Sequence, residues 1–226
     1  MITQGRTSSP PAREAERWLG KRLTQFDLWA ITADRTEDGW ESDFPEWREL
    51  MQEAEQVMAA GTQDSSSLLL LGRCWAISEE DETCADWARE HMKESPVRAM
   101  VCRLAFCADP RTRWQACAVL GSYFPLDGEA VRVLENCFTD EDSYVRRRAF
   151  LALENHGGID RQPYLRQMLS DEDAYNRYVA VRQAGGHDNG DGPLADRVQT
   201  AALDPAVTSL LAADEIHEDA PYRPLT

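Results

Sequence analysis

The residue types that most often carry chemistry are present in this chain, but not at working spacings. The four histidines, His91, His156, His187 and His217, lie far apart, and none belongs to an HExxH motif. The six cysteines, Cys74, Cys84, Cys102, Cys107, Cys117 and Cys137, all fall in stretches that read as helices and form no CxxC pair. Buried free thiols are therefore expected, rather than a disulfide framework or a zinc site. GxSxG, Walker and GxGxxG sequences are absent, so the chain shows neither a nucleophile elbow nor a phosphate cradle. The glycine-rich run at 188–192 lacks the alternating acids and distal glutamate of a calcium loop and reads as a turn. These patterns lead us to expect no catalytic residue, no metal and no cofactor.

Two constellations remain. The first is an acid followed four residues later by an arginine and three further on by a small or apolar residue. Asp109, Arg113 and Ala116 give way to Asp142, Arg146 and Ala149, and then to Asp173, Arg177 and Ala180. A last unit reads Asp204, Thr208 and Leu211; the steps are 33, 31 and 31 residues. On stacked helices an arginine so placed can build a ladder of charge-assisted hydrogen bonds between units, and we read these columns as structural. Within Arg146, Arg147 and Arg148, successive side chains splay by about 100° around a helix, so at least one is expected to be exposed. The second constellation is acidic and aromatic, running from Trp40 to Glu55. Phe44 and Trp47 suit a core. Trp40 with Glu41, Asp43, Glu46, Glu49 and Glu53 suits a docking surface, an aromatic anchor rimmed by acids that would capture a basic protein.

The first constellation fixes the elements that carry it. Val131, Leu134 and Phe138 precede Asp142, and Val145, Ala149, Phe150 and Leu153 follow it, at the three-and-four spacing of one helical face. The next unit repeats this with Leu165, Met168 and Leu169, then Val179, Ala180 and Ala184. Each unit is thus two antiparallel helices, with the acid cluster supplying cap oxygens to the second. Pro110 and Pro205 sit just inside that helix, where a missing N–H costs nothing. A period of about 20–50 residues marks architectures whose units bury their apolar faces by stacking.

The segment Asp142-Ser143-Tyr144-Val145-Arg146-Arg147-Arg148-Ala149 resembles the HEAT-like repeat families, whose second helices carry an Asp...Val-Arg...Ala signature. The resemblance covers roughly half the chain and implies an all-α, right-handed α-solenoid of helical hairpins. Relatives of this scaffold include protein-binding adaptors, bilin lyases and DNA glycosylases, so scaffold alone does not select a function. Thr208, in place of the arginine, suits a terminal repeat.

Ahead of the repeats the chain changes character. Residues 1–94 form an acidic, tryptophan-rich helical region with six of the seven tryptophans; residues 95–226 hold the repeats and a tail. After a loose start, a first helix from Pro11 carries a stripe of Ala15, Trp18, Leu19, Leu23, Phe26 and Trp29. A second follows Pro45, with Asp43 as its cap, and Asp64 or Ser65 caps a third, Ser67 to Ile77. Glu79 to Glu82 open a fourth, and Ser95-Pro96 begins the repeated part. Basic against acidic residues number six to four over 1–36, four to sixteen over 37–94, twelve to twelve over 95–182 and two to eight over 183–226, for a net charge of −16. Such a field repels phosphate backbones and attracts basic surfaces.

No apolar run, Leu68 to Leu71 included, is long enough to span a membrane, and the first residues lack a signal pattern, so a cytoplasmic protein is expected. A small acidic repeat protein without catalytic motifs resembles the immunity proteins of bacterial toxin systems. That resemblance implies an inhibitor that neutralises a basic toxin domain by direct binding. An adaptor or assembly scaffold is the alternative, with a glycosylase-like or bilin lyase-like enzyme behind it.

Overall fold

A computed structural model describes residues 10–36, 39–61, 64–123, 127–154, 159–185 and 194–215. Among these residues the chain is helical throughout, with no strand. The helices are α1 (Pro10–Ala30), α2 (Trp47–Ala59), α3 (Ser65–Ile77), α4 (Thr83–His91), α5 (Ser95–Leu104) and α6 (Pro110–Ser122). They continue with α7 (Gly128–Cys137), α8 (Ser143–Glu154), α9 (Gln162–Met168), α10 (Ala174–Gly185), α11 (Ala195–Ala202) and α12 (Pro205–Glu215). A 3₁₀ turn, Trp40–Asp43, precedes α2. Two compact units divide within α7: Met1–Val133 and Leu134–Thr226.

Aspartate oxygens start the helices. Asp64 accepts from the N–H groups of Ser66 and Ser67, Asp109 from Arg111, Asp127 from Glu129 and Ala130, Asp142 from Tyr144 and Val145, Asp173 from Asn176, and Asp204 from Ala206 and Val207. Each cap satisfies N–H groups that the helix itself leaves open.

In the first unit α1 packs on α2 and α3, while α6 packs on α3, α4 and α5. Leu19, Leu23 and Phe26 of α1 meet a core that includes Leu50, Val57, Met58, Leu71, Trp75, Met100 and Leu120, all nearly or fully buried. Full burial of such side chains stabilises by roughly 1.5–3 kcal/mol each. α3 packs close to α6 and to the connection before it: a Cβ at Gly72 would lie 2.9 Å from Cys107 Sγ. Thr112 Oγ1 donates to the Gly72 carbonyl at 2.6 Å, and Gln115 Nε2 to that of Trp75 at 2.7 Å. Gly61 closes α2 at φ +62, where a Cβ would meet Pro96 Cβ at 2.7 Å.

In the second unit α8 contacts α9 and α10, and α10 contacts α9, α11 and α12. Phe138, Val145, Phe150, Leu153, Leu165, Met168, Ala180 and Val207 form its core.

Four local expectations are corrected. Trp18 is 38 % exposed rather than on the buried stripe of α1, and its ring packs under the neighbouring Arg17 and Lys21 side chains instead of in the core. Asp43 does not cap α2, since the 3₁₀ turn intervenes and Glu46 holds the cap position without a side-chain bond. Glu79 to Glu82 form the turn before α4 rather than its first residues. Cys107 lies in the connection between α5 and α6, half-buried, while the other five thiols are buried and all six are free. Residues 1–9, the turn at 188–192, the tail from 216, and His156, His187 and His217 lie outside the described residues.

Candidate docking cleft

The acid turn between α3 and α4 is held at nearly every residue. Trp114 Nε1 donates to Glu79 Oε1 at 3.1 Å, and Arg111 Nε lies 4.0 Å from Glu79 Oε2. Burial raises the Glu79 carboxyl above its usual range, and those two partners offset part of the shift. Trp47 Nε1 donates to Asp81 Oδ2 at 3.1 Å, and the Thr83 N–H donates to the other oxygen. Arg89 binds Glu82 at 2.6 Å and also Asp86. Glu82 takes φ +51, a left-handed conformation that costs a side-chain-bearing residue roughly 1–2 kcal/mol. Glu80, exposed at the centre of the turn, makes no hydrogen bond or ion pair among the described residues.

Glu80 and Asp81 face the 3₁₀ turn across a cleft of about 280 Å³, also lined by Gly39, Glu41, Ser42, Trp47 and Ile77. Three carboxylates and an indole therefore surround one open volume. Such an arrangement receives a cation, the carboxylates supplying charge and the ring a polarisable wall. Among the described residues no group of three His, Cys, Asp or Glu is arranged to hold a metal ion.

The predicted docking residues separate on the structure. Glu41 lines the cleft, and Asp43 and Glu49 are exposed but are not among its lining residues. Glu46 and Glu53 both bind Arg22 of α1, Glu53 Oε1 at 2.8 Å, so they hold α2 against α1. Trp40 stacks on Trp29 with centroids 5.7 Å apart and on Phe26 at 6.0 Å, beneath the Arg35 guanidinium at 4.6 Å. Phe44 and Trp47 complete that cluster against Phe26, Phe44 buried and Trp47 half-buried. Glu80 and Asp81 were missed by sequence reasoning, because only folding brings the α3–α4 turn beside Glu41.

The acid–arginine columns make one repeated contact. Arg113 Nη1 donates to the carbonyls of Cys107 and Ala108, Arg146 Nη1 to those of Asp140 and Glu141, and Arg177 Nη1 to those of Asp171 and Glu172. Each arginine thus closes the connection six and five residues behind it. Thr208 keeps the first of these bonds with its hydroxyl, to the Ala202 carbonyl at 2.8 Å. Arg146 also binds both oxygens of Asp171 at 2.8 Å, and Arg177 reaches Asp204 Oδ2 at 3.1 Å, linking consecutive units. Burial pushes the Asp171 carboxyl up, but Arg146 and the Asp173 N–H outweigh it and leave it below the usual range.

Arg98 makes the same contacts: Nη1 to the carbonyls of Met92 and Lys93, and Nε 3.5 Å from Asp127. Its signal was the spacing Glu94, Arg98, Val101, hidden because it falls 15 residues before Arg113 and off the period.

The arginine run departs from expectation, because none of the three is exposed. Arg146 is 8 % and Arg148 5 % exposed, and Arg147 is half-buried. Tyr144 and Tyr175 flank Arg147, and Tyr144 also lies under Arg148, so rings cover what helical splay would open to water.

No described helix is long and apolar enough to cross a membrane. No curated protein and no solved structure matches the chain. With the hairpins, their aspartate caps and the recurring arginine contacts in place, residues 87–185, from within α4 to the end of α10, match the HEAT repeats family.

Proposed function

We propose that this chain is a binding protein whose acidic cleft receives a basic segment of a partner protein, and that binding inhibits the partner as immunity proteins inhibit bacterial toxins. The observation that supports it is the convergence of Glu41, Glu80 and Asp81 with Trp47 on one open volume, beside acids already engaged by Trp114, Arg111 and Arg89. A partner lysine or arginine entering there gains charge-assisted hydrogen bonds to these carboxylates. The net charge of −16 speeds the approach of a basic protein and disfavours nucleic acid. Helical repeats suit such a role by presenting several helices as one extended surface. Six free thiols fit a reducing compartment, which supports action in the cytoplasm.

The test is recovery of the tagged protein from its host at moderate salt, identification of what it carries, and titration of the recovered partner's activity. A basic protein bound one to one and silenced at equivalence is the expected result. A bound protein that keeps full activity would make the chain an adaptor, and recovery of nucleic acid or a chromophore would reject binding of a basic protein as its role.

A further inference from the structure

Arg147 stands apart from three arginines of the helical hairpins. Arg98, Arg146 and Arg177 each reach a carboxylate, at Asp127, Asp171 and Asp204. Arg147 reaches none among the described residues. Its guanidinium lies 4.5 Å from the ring centroid of Tyr144 and 4.4 Å from that of Tyr175. Nη1 makes a long bond to Asn176 Oδ1 at 3.3 Å, and Nε is buried with no hydrogen-bond partner. Asn176 is itself fixed, its side-chain N–H₂ donating to the Ser143 carbonyl at 3.0 Å. Nη2 alone is neither buried nor bonded, so the guanidinium presents one open nitrogen from a rigid setting.

An unpaired guanidinium that has lost much of its water is expensive to keep. Tyrosine faces repay part of that cost through cation–π attraction, but they leave the N–H directions unfilled. Burial also pulls the Arg147 pKa down, an effect that Tyr144, Tyr175 and the charge of Asp173 offset only in part. Arg148, over the same Tyr144 ring at 5.2 Å, adds a second positive charge beside the first.

We propose that Arg147, clamped between Tyr144 and Tyr175, is an anchoring site for a carboxylate side chain on an acidic segment of a partner protein. The chain's own chemistry supports the choice of anion: Arg98, Arg146 and Arg177 each take a carboxylate, and Arg147 offers one open nitrogen, Nη2, to the same kind of partner. A single open N–H position between two rings suits one carboxylate oxygen rather than the several charged oxygens of a polyphosphate. The site lies in the second unit and carries the opposite charge to the cleft, so it stands or falls independently of the cleft's role.

The experiment is fluorescence anisotropy with the full chain at low ionic strength. Three labelled peptides of equal length are compared: one rich in Glu and Asp, one bearing phosphoserine, and one with Gln and Asn in place of the acids. The acidic peptide is expected to bind, and Arg147→Gln to weaken it by about tenfold or more, the worth of one charge-assisted contact. Arg166→Gln, which removes an exposed arginine from α9, is expected to leave affinity within about twofold, as loss of a screened surface charge would. Circular dichroism checks that Arg147→Gln keeps its helices. If it does not, Arg147→Lys decides, since it keeps the charge and loses the planar fork; weakened binding by a folded Arg147→Lys supports the proposal. Failure of the acidic peptide to bind the wild type, equal binding by the folded Arg147 variant, or at least tenfold preference for the phosphopeptide would each overturn it.

Discussion

At the scale of single residues, the arginine that follows each acid by four positions holds a connection closed and, in the second unit, ties consecutive hairpins together. Arg146 does both with its side chain only 10 % exposed, against an Asp171 side chain at 9 %. Removing one partner of a buried pair leaves the other charge uncompensated, so Arg146→Met is expected to lower stability by about 3 kcal/mol. Arg177→Met should cost less, because the Arg177 and Asp204 side chains are 18 % and 34 % exposed and water screens them. Urea unfolding of the two variants checks the order. The acids set a pH dependence of defined sign. Ser66 and the N–H groups at the start of α3 hold Asp64 down to about 2, Arg111 lowers Asp109, and Asp171 is lowered despite its burial. A depressed carboxyl binds fewer protons folded than unfolded, so its contribution is present above the unfolded value near about 4 and is lost as pH falls through the folded one. Glu79 acts oppositely: its raised carboxyl favours the fold in acid, and that contribution is lost as pH rises through its folded value. The several depressed aspartates should outweigh it, so unfolding free energy is expected to drop between about pH 4 and about pH 2, and Asp171→Asn to flatten that drop.

At the scale of elements, helix boundaries depend on backbone positions that few residues tolerate. Gly61→Ala would place a Cβ 2.7 Å from Pro96 Cβ at a left-handed φ, and a loss of about 2 kcal/mol is expected, read as a lower thermal midpoint. Much of this level was legible in the sequence. The aspartate caps, the helical spacing and the prolines placed the hairpins from α5 onward, because those signals are local. The start of α2 was misread because a 3₁₀ turn satisfies the same residues that would cap a helix. The burial of Arg146, Arg147 and Arg148 was not legible, since it depends on Tyr144, Tyr175 and Asp171 meeting them from outside the three-residue run. Arg98 was overlooked for a different reason: its contacts repeat, but its position does not follow the period.

At the scale of the whole molecule, charge is divided between places that use it differently. Some of the N-terminal acids are spent inside the fold, as Glu46 and Glu53 are on Arg22, and others gather at the cleft, as Glu41, Glu80 and Asp81 do. Sequence alone marked the acidic, aromatic stretch, yet could not sort its acids, because exposure depends on which face of α2 meets α1 and on where the α3–α4 turn arrives. The sorting matters for experiment: reversing Glu46 or Glu53 breaks an ion pair between α2 and α1, whereas Glu41 and Glu80 line the cleft without such a pair among the described residues. The central claim is that this cleft docks a basic partner, and the most direct measurement is a paired capture. Wild type and a Glu41→Lys/Glu80→Lys variant, matched in circular dichroism and thermal midpoint, are used to recover partners from the same extract. A basic protein retained one to one by the wild type and lost by the variant is the predicted result. The same protein retained equally by both would contradict the account.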